Sequence, residues 1–181
     1  RMDVSADGSK LILGEGQASA GWGPETDSIY QVNLADGSYS TLHFTTEKWE
    51  GGIAQIIYTS DGGAIMTTYE QYSGPSYLRT FDPKGSSYVG GMVKTSQGYD
   101  LSSSSNLFIT PSESHRFILV QTVNYGSGAS LIYDVATKAY ISANGGTYVD
   151  ENNSQSAITE KGYVSLLGYH HLIVTDFTFK S

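Results

Sequence analysis

A short polar turn between two apolar segments recurs four times in this chain, and this repeat limits the possible folds more than any other feature. The turns begin at positions 6, 60, 112 and 160. A period of about 50 residues indicates a repeat architecture. Asp-Gly pairs supply the positive φ that tight hairpin turns require. The four turns are Ala6-Asp7-Gly8, Ser60-Asp61-Gly62, Ser112-Glu113-Ser114 and Glu160-Lys161-Gly162.

Each turn is followed by an apolar strand, a glycine-rich loop and another strand that ends on a polar residue. Val, Ile, Tyr and Thr dominate these segments, and no long window has a helical period. In three copies a second turn leads into a fourth strand, which carries Tyr39, Tyr88 or Tyr140. The pattern predicts an all-β chain of four-stranded antiparallel units, which are the blades of a β-propeller. The predicted second and third strands are 10–13 and 29–33, 64–69 and 77–82, 117–123 and 131–134, and 163–167 and 172–176.

Two segments, 3–11 and 131–138, resemble the repeats of bacterial WD40-like propellers of the TolB and YVTN type. Those repeats carry a Ser-x-Asp-Gly-Lys-type turn and an Ile-x-x-x-Asp-x-x-Thr-Gly-Lys-type hairpin. The chain departs from the pattern at Glu113-Ser114, where Asp-Gly is expected, and it lacks the glycine before Lys138. The resemblance implies an architecture shared by binding scaffolds, lactonases, lyases and quinoprotein dehydrogenases, so it does not select one function.

The repeats predict one β-propeller domain over residues 1–181, with blades at about 1–47, 48–98, 99–150 and 151–181. The fourth copy ends after its third strand and is therefore incomplete. Propellers have about four to eight blades, and the count favours part of a six- to eight-bladed propeller. Because exposed strand edges and apolar faces promote association, we expect the terminal blades to pack on other polypeptide. Further blades of the same parent protein or another chain could provide it.

Composition excludes several classes of protein. The net charge is −8 with only 10 Lys and Arg, which argues against a nucleic-acid partner. No apolar run is long enough for a membrane-spanning helix. Cysteine is absent, which removes disulfides, thiol catalysis and Cys-ligated zinc. Richness in Tyr, Ser, Gly, Thr and Asn, with few Lys, favours an extracellular or periplasmic, secreted protein.

Aromatic residues recur in the loops that follow the second strands and in the loops between blades, which share one face of a propeller. Aromatic rings stack on the apolar faces of sugars and peptides, and neighbouring acids accept hydroxyl hydrogen bonds. The competing interpretation is that these rings pack the loops against neighbouring blades. The candidate ligand-binding residues are Trp22, Trp49, Tyr72, Tyr99, Tyr125, Tyr148, Tyr169 and His170.

Metal-binding and catalytic patterns are sparse. Asp3-x-Ser5-x-Asp7-Gly8 imitates the start of a calcium loop, but Gly14 stands where a bidentate Glu is required. The oxygen-rich residues Asp150, Glu151 and Asn152 are the weak candidates for Ca²⁺, and no other cofactor is expected. No Gly-x-Ser-x-Gly nucleophile motif with a suitable acid and His is present, and no phosphate-binding glycine loop.

Two functions from different classes are compatible with these features. The first is a non-catalytic binding or adhesion module, of the type found in extracellular and biofilm matrices, that holds a glycan or a partner protein. The alternative is part of a propeller hydrolase or polysaccharide lyase with its site at the central channel. The first strands, which converge on that channel, offer only Asp3, Gln55 and Asn106 near their starts. The lack of a catalytic set favours the binding module.

Overall fold

The computed structural model describes fourteen β-strands in four antiparallel sheets. Each sheet is a run of consecutive strands, which we call blades 1 to 4 in chain order. No helix among the described residues is long and apolar enough to cross a membrane. The described residues are 1–15, 26–45, 50–70, 77–81, 106–124, 127–142, 155–161, 163–167 and 172–176.

Blades 1 and 3 have four described strands, and blades 2 and 4 have three. The strands of blade 1 are β1 (Met2–Val4), β2 (Lys10–Gly14), β3 (Thr26–Asn33) and β4 (Tyr39–Thr45). Those of blade 2 are β5 (Glu50–Tyr58), β6 (Ala64–Glu70) and β7 (Leu78–Phe81). Those of blade 3 are β8 (Asn106–Pro111), β9 (Phe117–Asn124), β10 (Ser127–Asp134) and β11 (Ala139–Ser142). Those of blade 4 are β12 (Gln155–Ile158), β13 (Tyr163–Leu167) and β14 (Leu172–Asp176).

The predicted repeat is confirmed at the level of individual strands. The predicted strands 163–167 and 172–176 have the same bounds as β13 and β14, and the other six overlap β2, β3, β6, β7, β9 and β10. Tyr39 and Tyr140 lie in the fourth strands of blades 1 and 3, as predicted. Tyr88 lies outside the described residues.

The turn between the first two strands has the same backbone hydrogen bond in blades 1 to 3. Gly8 donates its N–H to the Ser5 carbonyl at 2.8 Å, and Gly62 donates to Thr59 at 2.9 Å. In blade 3 the donor is His115, whose φ is 59°. The predicted alignment of the third turn was therefore one residue out: His115, rather than Ser114, holds the glycine position. Histidine is one of the few residues enriched at positive φ.

The core lies between neighbouring blades, because each sheet buries one face against the next. Ile12, Ile29 and Phe44 of blade 1 form one apolar cluster with residues of blade 2. On the other side of blade 2, Ile57 and Ile65 form a second cluster with residues of blade 3. The blade 2 residues of the first cluster are Ile53, Ile56, Tyr58, Ala64, Met66 and Phe81; the second cluster adds Leu78, Leu107, Ile109, Ile118, Val120 and Val135.

Candidate functional site

The predicted ligand-binding surface lies entirely outside the described residues. This applies to the metal candidates Asp150, Glu151 and Asn152 as well. Their roles therefore stay predictions from the sequence. The ligand-binding residues concerned are Trp22, Trp49, Tyr72, Tyr99, Tyr125, Tyr148, Tyr169 and His170.

Two of the three polar residues predicted on the first strands, Asp3 and Gln55, form hydrogen bonds to the next blade. The Asp3 Oδ2 atom accepts the backbone N–H of Tyr58 in blade 2 at 2.9 Å. The Gln55 Oε1 atom of blade 2 accepts the backbone N–H of Ile109 in blade 3 at 2.9 Å. Both side chains therefore join one blade to the next. Engaged in this way, they have fewer lone pairs available for a ligand in the channel.

Three blades meet at the Asp3 carboxylate. The Nδ1 atom of His115, in blade 3, lies 3.7 Å from Asp3 Oδ2, which is too long for a hydrogen bond. His115 Nδ1 is buried without a hydrogen-bond partner among the described groups. The His115 carbonyl accepts the backbone N–H of Ser60, in blade 2, at 3.0 Å. The sequence places His115 in a turn but gives no signal of Asp3 as its neighbour, because the two residues belong to different repeats.

Tyr58 adds a second buried polar atom beside this junction. Its side chain is 3% exposed, and its hydroxyl has no hydrogen-bond partner in the described part of the chain. Burial raises the pKa of Tyr58 to about 12, and the negative charges of Asp3 and Asp7 act in the same direction. The phenol is therefore neutral at physiological pH, and it can only donate a hydrogen bond or accept one as an uncharged group.

The calcium-like segment is a hairpin turn. Asp7 Oδ1 accepts hydrogen bonds from the Ser5 hydroxyl at 2.6 Å, the Ser9 N–H at 3.0 Å and the Ser9 hydroxyl at 2.8 Å. These bonds, of which the one from Ser5 is strongest, lower the pKa of Asp7 to about 2. Thr59 and Asp61 repeat the first contact at 2.6 Å in blade 2. The carboxylate is engaged with its own turn, and the described ranges contain no group of three or more His, Asp or Glu side chains arranged for a metal.

A charged side chain joins blade 3 to blade 4 on the same side as these turns, and an ion pair lies beside it within blade 3. Glu160 Oε1, of blade 4, accepts the Ser114 N–H at 2.8 Å. Arg116 Nε lies 3.2 Å from Asp134 Oδ1, and both residues belong to blade 3. Burial raises the pKa of Glu160, but hydrogen bonds from Ser112 and Ser114 outweigh it, so the net pKa is lowered. The same balance holds for Asp134, where burial is opposed by the Arg116 contact and the Ala136 N–H, which lower the pKa.

These lowered pKa values predict an acid-sensitive contribution to stability. A carboxyl group whose pKa is lower when folded stabilises the fold above its unfolded value, and this contribution is lost as the pH falls through the folded value. The ordinary values are 3.8 for Asp134 and 4.5 for Glu160. In urea titrations at a series of pH values, D134N/E160Q should flatten the fall of the unfolding free energy below about pH 4.5. A curve parallel to the wild type would contradict this assignment.

A shallow, open depression lies at the turn end of blade 1, on strands β2, β3 and β4. Its volume is about 240 Å³, below the 300–1,000 Å³ that is usual for small-molecule sites. It is too small and open to support a ligand on its own. Its lining residues are Lys10, Gln31, Val32, Asn33, Ser38, Tyr39 and Ser40.

Comparison with known proteins agrees with the architecture. No family model and no curated protein sequence matches the chain. Among solved structures, hydrazine synthase of Kuenenia stuttgartiensis matches with a TM-score of 0.62 and 10% identity over 99% of this chain and 58% of that one. The Dos1 propeller matches with a TM-score of 0.64 and 11% identity over 97% of this chain and 44% of that one.

A putative TolB of Agrobacterium tumefaciens matches with a TM-score of 0.51 and 12% identity, over 96% of this chain and 55% of that one. The chain therefore spans less than two thirds of the length of each of these structures. Identities this low carry the fold alone. Four consecutive antiparallel sheets, the repeated turn and these matches together identify the chain as part of a β-propeller whose blades resemble TolB-type repeats.

Proposed function

We propose that the chain is a non-catalytic binding module that holds a glycan or a partner protein on its aromatic, acidic loop face. The observation that carries the proposal concerns the first strands, where a propeller hydrolase or polysaccharide lyase would place its channel residues. Asp3 and Gln55, two of the three polar candidates there, are hydrogen-bonded to the backbone of the next blade. The third, Asn106, begins β8. We therefore assign ligand binding to the loops rather than to the first strands.

The loop residues have the chemistry that such binding needs. Trp and Tyr rings supply flat apolar area, and their ring edges and polar tips allow contact with both sugars and peptides. Acidic residues that the sequence places in the same loops, such as Glu25 and Glu47, can accept hydrogen bonds from sugar hydroxyls or pair with basic groups of a protein. A role in adhesion or matrix binding fits this surface, and the composition fits either an extracellular or a periplasmic location.

The test is a glycan array followed by calorimetry on any soluble sugar that binds. The triple variant W22A/Y72A/Y125A should weaken binding at least tenfold, which is about 1.4 kcal/mol, because stacking area is lost on three loops. Tyr39→Ala is the matched control: this Tyr is 71% exposed and follows the turn at the opposite end of blade 1. Its binding should equal the wild type.

Equal binding by the wild type and the triple variant would overturn the loop assignment. Release of shortened or unsaturated sugar products from an array ligand would instead support the hydrolase or lyase alternative. Both readouts come from the same incubations, so the two functions are separated in one experiment.

A further inference from the structure

The outer edge of blade 1 is strand β4, and no described strand pairs with its outer side. All seven residues of β4 pair with β3 in one register, from Tyr39 opposite Val32 to Thr45 opposite Thr26, without a bulge. A regular strand edge presents a row of backbone N–H and C=O groups to which another strand can bond. Among the described residues, this edge is therefore open along the whole of β4.

Two backbone hydrogen bonds show which residues of β4 direct their backbone groups outward. Asn33 donates its N–H to the Ser38 carbonyl at 2.8 Å, on the β4 side of β3. Leu34, the next residue, donates to the Ser9 carbonyl at 2.9 Å, on the β2 side. Hydrogen-bonded and non-hydrogen-bonded pairs alternate along an antiparallel ladder. The outward N–H and C=O groups therefore belong to every second residue of β4, which we call the outward residues: Tyr39, Thr41, His43 and Thr45.

The edge of β4 lacks the features that usually prevent pairing with another chain. Such edges are protected by Lys, Pro, a bulge or a short length. β4 contains no Pro, Lys, Arg, Asp or Glu, whereas β11, the outer described strand of blade 3, has four residues and directly follows Lys138. Leu42 and Phe44 pack on the cluster shared with blade 2, which holds β4 in place. The result is a fixed strand with an unprotected edge.

We propose that β4 of a second copy of this chain pairs antiparallel with this edge, about a two-fold axis at Leu42. Residues that exchange hydrogen bonds across such a pair must both direct their backbone groups to the partner strand. With the axis at Leu42, Thr41 lies opposite His43 of the second copy, and Tyr39 lies opposite Thr45 of the second copy. All four are outward residues, so β4 is complementary to itself. A two-fold contact of this kind closes as a dimer.

The side chains of the outward residues are compatible with this contact. Tyr39, His43 and Thr45 are exposed, and Ser28 Oγ lies 3.2 Å from His43 Nδ1, which orients the imidazole on the exposed face of the sheet. Pairs of aromatic and β-branched residues stabilise neighbouring strands, and no like charges meet within β4. The contact needs only residues 39–45, so it is independent of the number of blades. Because a single strand edge buries little area, we expect a weak dimer.

Cysteine cross-linking of the full chain tests the register, because the sequence has no Cys. On the two-fold axis, the two copies of Leu42 form a non-hydrogen-bonded pair with Cα atoms about 4.5 Å apart, which suits a disulfide. Under mild oxidation, L42C should form an intermolecular disulfide at least ten times faster than Y39C. Tyr39 is the stringent control: it is 71% exposed, whereas Leu42 is half-buried, but its two copies would lie about 20 Å apart.

Sedimentation velocity with charged variants tests the same contact without cross-linking. The wild type should show a monomer–dimer equilibrium. T41K/H43K places Lys opposite Lys and should raise the dissociation constant at least tenfold, whereas T41K/H43E places Lys opposite Glu and should restore dimerisation. The control A136K/A139K adds two Lys at exposed positions of blade 3 and should dimerise like the wild type.

Any other result would overturn the proposal. A folded monomer at all concentrations would exclude the second copy and leave the edge to another partner. Cross-linking of Y39C as fast as L42C, or a T41K/H43E variant no better than T41K/H43K, would exclude the two-fold register at Leu42. Association unchanged in T41K/H43K would place the contact elsewhere. Circular dichroism confirms that each variant is folded, and none of these readouts depends on ligand binding by the loops.

Discussion

Ile65→Ala is expected to lower the free energy of unfolding by about 2–5 kcal/mol, the usual cost of removing a large aliphatic side chain from a packed core. Ile65 is fully buried near the start of β6 and packs with Leu78 of its own blade and Ile118 of blade 3. The truncation leaves a cavity between two sheets that are each held by their own hydrogen bonds and therefore close only in part. Urea denaturation followed by circular dichroism measures the loss.

A graded control separates packing from other causes. Ile65→Val removes one methylene and should cost about 0.5–1.5 kcal/mol, while Leu34→Ala, in an exposed turn, should change stability by less than about 0.5 kcal/mol. If Ile65→Ala were as mild as Leu34→Ala, blades 2 and 3 would not share a packed core, and the arrangement of neighbouring sheets would be wrong.

Most of the strand pattern could be predicted because the signals are local. A tight polar turn such as Glu160-Lys161-Gly162 and the short apolar segments after it are signals within about fifteen residues, so the bounds of β13 and β14 were predicted correctly. The third turn was misaligned because His115 adopts the positive φ that Gly8 and Gly62 adopt in the other blades. A turn without glycine gives no direct signal of a positive φ in the sequence. The structure shows the equivalence, because the N–H that bonds the Ser112 carbonyl belongs to the residue three positions later, His115, as it does for Gly8 and Gly62 in the other turns.

The contacts between blades could not be predicted, because they join residues far apart in the sequence. Asp3 and Tyr58 are separated by 55 residues, and Gln55 and Ile109 by 54. The sequence did identify Asp3 and Gln55 as polar residues on first strands, but it assigned them to a channel that could hold substrate. Their actual partners are backbone N–H groups, which nearly every residue type presents. Only the position of one blade beside the next shows that these side chains accept a backbone N–H rather than face a substrate in the channel.

Asp3→Ala is expected to lower the free energy of unfolding by about 1–3 kcal/mol, since it leaves the part-buried Tyr58 N–H without its acceptor. It also removes the negative charge 3.7 Å from His115 Nδ1 at the three-blade junction. Asp3→Asn is the informative comparison, because its carboxamide oxygen can accept the same N–H, as Gln55 does one blade later. Thermal and urea unfolding should therefore place Asp3→Asn close to the wild type. If both substitutions were equally damaging, the charge facing His115 would matter more than the hydrogen bond. If neither had an effect, Asp3 would be available for channel chemistry after all, and the case for a non-catalytic protein would lose its main support.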